Sequence, residues 1–314
     1  MTRPVGSGSA APASRFATDA AFAREIAERA GRLLFERYER VEEIDYKSAR
    51  DVVTEVDHLS EALIMGAIRE RYPTDGILAE ESGAHHGKGA PGGGPGSRRV
   101  AAGGGDGADA AGARGAPVAD AASRALVSGR TWIVDPLDGT INYANGIPYF
   151  CVSVGLVVDG RPAVGAVCDP MRGETYWATA DGPAMLGDHV VHASAKDKLT
   201  DCVISLSLGG RAVATRGRAV RRAVRASRNT GSAALALAYV ANGRFDAFVQ
   251  SGGMSAWDVA AAGLIAERGG AVVTDGHGGT WFDVDKATRA FGIVAAPPAH
   301  HAELLRLSRE AAAP

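Results

Sequence analysis

The sequence predicts an α/β layered protein, and three observations carry that prediction. The first part reads as helices followed by an antiparallel run of strands. The second part alternates strand with helix, the order that builds layered sheets. The 314 residues are 46% hydrophobic and 22% charged, enough apolar matter for one large domain or two ordinary ones. With 34 basic and 36 acidic residues the formal charge is -2, which leaves no electrostatic footprint for nucleic acid or an anionic membrane. No apolar run approaches the roughly 18 residues that cross a bilayer. Met1 to Arg15 lacks the apolar core of a signal peptide. Cys151, Cys168 and Cys202 lie far apart without a CxxC pattern and read as small buried hydrophobes, not as disulfides or a zinc site. The expectation is a cytoplasmic, reduced protein with no membrane or nucleic-acid partner.

Phe22, Ile26, Leu33, Leu34 and Tyr38 recur on one face and predict a first helix over Ser14 to Tyr38, capped by Thr18 or Asp19. Val41 to Asp57 is mixed. Leu59, Leu63, Ile64 and Ile68 then stripe a second helix that ends before Pro73, and Ile77 to Ala79 reads as a short strand. Gly83 to Gly129 holds 14 of the 41 glycines, 13 alanines and no aromatic residue, so it has little with which to offset its ordering entropy. It reads as a disordered insertion, with His85 and His86 as solvated loop residues. Structure resumes at Thr131 to Val134. Cys151 to Val158 and Pro162 to Cys168 flank Asp159-Gly160, a strong hairpin signal, and Thr175 to Ala178 adds a third strand. Val203 to Leu208, Phe245 to Val249, Ala271 to Thr274 and Gly292 to Ala296 read as strands. Arg211 to Arg225, Ser232 to Val240, Trp257 to Arg268 and His300 to Arg309 read as helices. The division falls near residue 185: residues 14–185 form an α+β half and residues 186–310 an α/β half.

Acidic clusters sit at the ends of strands or the starts of helices: Thr54-Glu-Val-Asp57, Glu80-Glu81-Ser82, Asp135-Pro-Leu-Asp138-Gly-Thr140 and Trp257-Asp258. Taken singly, each has an ordinary explanation as a helix cap, a dipole partner or a solvated loop. The Asp135 segment says more. An apolar strand that runs straight into two carboxylates three residues apart places them at its carboxyl end, where open α/β sheets bind ligands. Pro136 stiffens the turn, Gly139 permits close approach, and backbone N–H groups near Thr140 can receive a phosphate. Carboxylates beside an anion repel it unless cations intervene, and Mg²⁺, a hard ion that prefers oxygen, is the economical answer.

Together these motifs resemble the signatures of the inositol monophosphatase family. Asp51 to Asp57, Asn142-Tyr143, Pro148, Val152-Ser-Val-Gly155 and Gly269-Gly270 fall where that pattern expects them. The resemblance implies a layered αβαβα sandwich of the inositol monophosphatase/fructose-1,6-bisphosphatase type and Mg²⁺-dependent hydrolysis of a phosphate monoester. It implies that Glu80, Asp135 and the Leu137 carbonyl hold one Mg²⁺, and that Asp135, Asp138 and Asp258 hold a second. A third ion leans on Glu80 through water, and Mn²⁺ is a substitute. Thr140 and Asp57 match the pair that orients and deprotonates the attacking water, with Glu81 behind them and Lys47 moderating the cluster's charge. Gly139 and Thr140 match the phosphate-receiving backbone; Gly231, Ser232, Ala256 and Gln250 match the polyol side. Gln250 departs from the carboxylate that animal members carry there, exchanging a charge for a hydrogen-bond donor. The family further implies lithium sensitivity and a homodimer.

The leading expectation is an inositol-1-monophosphatase. Its runners-up are fructose-1,6-bisphosphatase-like, histidinol-phosphatase and 3′-phosphoadenosine phosphate phosphatase activities. Asn142-Tyr143 after the catalytic turn, and Ile141 where the nucleotide branch commonly has Lys, favour the inositol branch. A different class of reading is an interaction protein that retains the fold and binds through the Gly/Ala insertion or the basic stretch Arg211 to Arg228.

Overall fold

The computed structural model describes residues 14–40, 44–48, 51–87, 129–208, 213–286 and 288–309. The first helix, α1 (Ala17–Arg37), buries Ala20, Ala23, Ile26, Ala27, Ala30, Gly31 and Leu34. Small residues on that face let the helix axis lie close to the sheet beneath it. Its start is set by Phe16, with no side-chain cap. Asp19, expected as a cap, turns to the Arg130 guanidinium at 2.8 Å, because an ion pair satisfies the carboxylate better than a frayed N–H. The mixed stretch forms an antiparallel ribbon of β1 (Ile44–Ser48) and β2 (Asp51–Thr54). Helix α2 (Glu55–Arg71) follows under a capping box: Thr54 Oγ1 accepts the Val56 N–H, and Asp57 accepts the Thr54 N–H at 2.7 Å. Its buried face is Val56, Asp57, Ser60, Glu61, Ile64, Met65 and Ile68. The expected stripe was therefore out of phase at its start, and Leu59 is 41% exposed.

Strands β3 (Gly76–Ala79), β4 (Gly83–His85), β5 (Arg130–Asp138), β6 (Cys151–Val158), β7 (Arg161–Asp169), β8 (Glu174–Thr179), β9 (Met185–Leu186) and β10 (His189–Val190) make an eight-stranded sheet. Its order is β10-β9-β8-β7-β6-β5-β3-β4. Only β3 and β5 pair in parallel; the rest are antiparallel. Asp159 (φ 49) and Gly160 (φ 76) join β6 to β7 in the left-handed pair that a two-residue hairpin requires. The expected disorder from Gly83 onward is corrected at its first residues, because the free edge of β3 offers backbone partners and Gly83–His85 takes them. The remainder of the insertion, 88–128, lies outside the described residues. The sheet also runs on to Val190, so the division expected near residue 185 falls inside it.

The second half adds β11 (Val203–Ser207), α4 (Val213–Ala223), β12 (Ala226–Arg228), α5 (Ala233–Ala238), β13 (Ala247–Met254), α6 (Ala256–Arg268), β14 (Val272–Asp275), β15 (Phe291–Ala296) and α7 (Pro298–Arg309). A short α3 (Thr140–Ala144) follows β5. The five-stranded sheet has the order β12-β11-β13-β15-β14. Helices α5 and α6 lie between the two sheets in one core with Ile133, Val167 and Tyr176 of the first sheet and Phe248, Ile293 and Ala295 of the second. On the outer side, Val220, Val224, Leu304 and Leu307 close over Ile204, Leu206, Val249 and Val294. The layers are thus helix, sheet, helix, sheet, helix, and all three cysteines are buried and free.

One pair of residues sets how closely the middle layer approaches. Gly155 of β6 and Gly165 of β7 are register partners. A Cβ on Gly155 would meet the Ala260 Cβ and Ala261 N at 3.3 Å, and one on Gly165 would meet the Ala261 carbonyl oxygen at 2.5 Å. The two glycines form a trough that seats the alanines of α6, and that seating brings Asp258 to the end of β5.

Candidate metal centre

Strand β5 carries the first two acids. In a regular strand, residues three apart point to opposite faces. Here the register against β6 shifts between Asp135, opposite Ser153, and Asp138, opposite Cys151: three steps on one strand match two on the other. That one-residue bulge restores parity and puts both carboxylates on one side. Pro136, with no N–H to lose, sits in the bulge, and its carbonyl accepts the Ser60 hydroxyl at 2.8 Å.

Asp258, in the first turn of α6, completes the group. One oxygen from each of Asp135, Asp138 and Asp258 lies within 4.8 Å of the others. Each carboxylate is held. Asp135 accepts the Leu137 N–H at 3.1 Å, and Asp258 accepts the Ser255 N–H at 2.5 Å. Asp138 accepts the Ser232 hydroxyl and the Ala234 N–H, both at 2.6 Å. Burial pushes Asp135 well above the usual carboxylate range, and the charges of Glu80, Asp138 and Asp258 push it further. Burial, then the Asp138 charge, raises Asp258 to about 8. Burial raises Asp138 against the Ser232 and backbone hydrogen bonds that lower it. Protons are thus held by a site whose ionised form calls for a cation.

Glu80 follows β3, donates its N–H to the Val134 carbonyl at 3.2 Å, and shares the cavity wall with Asp138 and Asp258. Beside it, Thr140 Oγ1 lies 3.2 Å from Asp57 Oδ1 and 3.0 Å from the Leu137 carbonyl oxygen. Burial lifts Asp57 to about 6; hydrogen bonds from Thr54 oppose the lift, and the Glu81 charge adds to it. Glu81 therefore stands behind Asp57 and is absent from the cavity wall, while its own N–H donates to Glu61 at 2.9 Å. Lys47 belongs to β1, and its side chain lies outside the described residues.

These groups open on a cavity of about 600 Å³. Gly139, Thr140, Gly231, Ser232 and Gln250 line it. Gly139 is left-handed (φ 97) and Gly231 likewise (φ 81), with Asn142 2.9 Å from where a Gly231 Cβ would lie. Two expectations change. Ala256 is buried in the core and not on the wall, because the first turn of α6 aims Trp257 and Asp258 at the cavity instead. Ser232 is on the wall, but its hydroxyl serves Asp138. Sequence reasoning missed Ser60, Glu61, Thr288 and Arg289. A hydroxyl and a carboxylate at i, i+4 from Val56 and Asp57, on a face otherwise closed by Ile64 and Ile68, were the available signal for Ser60 and Glu61.

The donors are all oxygen, which suits a hard divalent cation such as Mg²⁺. Cys151 Sγ comes within 3.9 Å of Asp138, but burial raises its thiol far above neutrality, so no thiolate competes.

Fold and site together define a class: a layered α/β protein with a buried carboxylate centre able to take a divalent cation at one end of a sheet. The model described as the inositol monophosphatase family matches residues 17–313, and the chain belongs to that family. It is 34% identical over 263 residues to a Nus factor SuhB from Pasteurella multocida, covering 81% of this chain and 83% of that one. It is 30% identical over 265 residues to an inositol monophosphatase from Mesembryanthemum crystallinum, covering 82% and 85%. Among solved structures, extragenic suppressor protein suhB from Bartonella henselae matches with a TM-score of 0.73 at 28% identity, covering 91% and 96%. An IMPase from Thermotoga maritima matches with a TM-score of 0.71 at 27% identity, covering 94% and 97%. No helix among the described residues is long and apolar enough to cross a membrane.

Proposed function

We propose that this chain is a Mg²⁺-dependent hydrolase of phosphate monoesters of polyols, with an inositol monophosphate the substrate that its relatives' names suggest and inositol 1-phosphate the one to try first. The convergence of the Asp135, Asp138 and Asp258 oxygens within 4.8 Å, on an oxygen-only site, carries the reading. Those three, with Glu80 and the Leu137 carbonyl, would hold two to three ions. Bound Mg²⁺ supplies Lewis acidity, lowering the pKa of water and neutralising phosphate oxygens.

The chain's own groups do the rest. Gly139 and Thr140 present backbone to the phosphate at the cavity wall. Thr140 Oγ1 has one proton and two acceptors in reach, Asp57 and the Leu137 carbonyl. When it donates to Asp57, its lone pairs accept the proton of an attacking water while its own proton passes to Asp57 Oδ1. Lifted to about 6, Asp57 is a better base than an ordinary carboxylate and is still ionised at neutral pH. Gln250 and Gly231 face the polyol.

Phosphate release from inositol 1-phosphate, fructose 1,6-bisphosphate, histidinol phosphate and 3′-phosphoadenosine phosphate, with and without Mg²⁺, tests this. Mg²⁺-dependent turnover of inositol 1-phosphate is expected, and inactivity on all four would leave the second reading. That reading, an interaction protein retaining the fold, is favoured by the name Nus factor that a relative at 34% identity bears.

A further inference from the structure

Part of the cavity wall comes from a segment with no regular structure. Asn229, Thr230, Gly231 and Ser232 follow β12 and line the cavity. Such a segment keeps its place only through bonds to its surroundings, and two come from the stretch around the end of β5. The first is the Ser232 hydroxyl, which donates to Asp138 at 2.6 Å. The second comes from Asn142, a buried residue of α3 that does not line the cavity itself.

The Asn142 side-chain amide has two protons and spends both. Nδ2 donates to the Tyr149 carbonyl at 2.6 Å and to the Thr230 carbonyl at 2.8 Å. The same amide packs over Gly231: a Cβ there would lie 2.9 Å from Oδ1 and 3.0 Å from Nδ2, closer than side chains approach. Asn142 is fixed from behind as well, since its carbonyl accepts the Asn145 N–H at 3.1 Å and the Ile147 N–H at 2.8 Å. Gly139, which presents backbone to the phosphate, sits between the two segments that the amide joins. A Cβ on it would meet the Tyr149 carbonyl oxygen at 3.1 Å and the Ser232 Cβ at 3.2 Å.

We propose that Asn142 is a positioning residue. It clasps the segment 229–232 to the turn at Gly139, and so sets how far the wall that meets the substrate's tail stands from the place of the phosphate. It acts through Thr230 and Gly231, not by touching the substrate. The Ser232 bond ends on a carboxylate that a cation would claim; the Asn142 clasp ends on carbonyls and is independent of the ion. Losing the clasp therefore loosens the grip on the tail and leaves the grip on phosphate. The inference rests on the phosphatase reading and goes beyond it, by assigning what holds the tail's wall in place.

Steady-state kinetics test it, on whichever of the four esters above the full chain turns over fastest with Mg²⁺, together with inhibition by inorganic phosphate. N142A should raise KM by at least about tenfold, with kcat and the inhibition constant of phosphate each within about threefold of the parent. N142D keeps the shape but has at most one proton to donate, so KM should rise several-fold there too. G231A is a separate check: its methyl group meets the amide, so it should raise KM in the parent by more than it does in N142A, where the amide is gone. An N142D chain with the parent's KM would mean that the side chain only fills space, and overturns the proposal. So does a KM that rises together with the phosphate constant, or N142A and G231A effects that simply add. An N142A chain too unstable to assay overturns it as well, since Asn142 then supports the fold and not the tail's wall. A parent inactive on all four esters overturns the phosphatase reading, and this inference with it.

Discussion

Asp135 separates metal binding from folding more cleanly than any neighbour, because burial and the charges of Glu80, Asp138 and Asp258 all disfavour its ionised form. An amide can still accept the Leu137 N–H that Asp135 now accepts. Asp135→Asn should therefore leave the metal-free fold at least as stable, while phosphate release falls by at least about 100-fold. Circular dichroism and a turnover assay on the same sample check both halves. Ser232 asks for the opposite experiment. Its hydroxyl touches Asp138, so Ser232→Ala should weaken Mg²⁺ binding by about 10–100-fold and not act first on the polyol. Isothermal titration of the ion reads that directly; unchanged affinity would return Ser232 to the substrate side. The acids themselves were legible in the sequence only as a set: each alone reads as a cap or a solvated loop, and several in one order at strand ends and helix starts do not. The task of Ser232 was not, because a serine directly after the turn glycine Gly231 looks the same whether its hydroxyl points to ligand or to Asp138.

Elements tell a similar story one level up. The bulge in β5 was half visible, in Pro136 and in the odd spacing of Asp135 and Asp138; the register that makes them share a face needed β6 beside them. The hairpin at Asp159-Gly160 was fully visible, because its left-handed φ values are a local demand. Helix α2 was misphased because its buried face includes Asp57, Ser60 and Glu61, polar residues that hydrophobic periodicity cannot count. The glycine trough was invisible for another reason: Gly155 and Gly165 matter only through α6, about a hundred residues later. Gly165→Ala should lower stability by about 1–3 kcal/mol in urea denaturation and, by lifting the helix that carries Asp258, weaken Mg²⁺ binding too. Gly66→Ala is the control. That site is exposed on α2 with nothing within 4 Å of the added Cβ, so stability should rise by about 0.5–1 kcal/mol.

At the scale of the whole molecule, the acid cluster makes stability a function of pH and metal together. Asp57 and Asp258 have folded-state pKa values raised to about 6 and about 8, and Asp135 and Asp138 are raised as well. Between the ordinary carboxylate range near 4 and those values, the folded protein binds more protons than the unfolded chain, so its stability falls as pH rises. The contribution is fully present below about pH 4 and is lost as pH passes the folded values, through about pH 8 for Asp258. Bound Mg²⁺ would reverse that loss by taking the place of the protons. In chelator the melting temperature should therefore drop from about pH 5 to about pH 8 by more than in an Asp258→Asn variant, which lacks one of the groups responsible. Added Mg²⁺ should raise it strongly near pH 8 and weakly near pH 5, since protons already neutralise the cluster there. At a concentration a hundredfold above its dissociation constant, one ion adds about 2.7 kcal/mol. A melting temperature that responds to Mg²⁺ equally at both pH values would mean that the ion binds elsewhere, because only a site competing with protons couples the two.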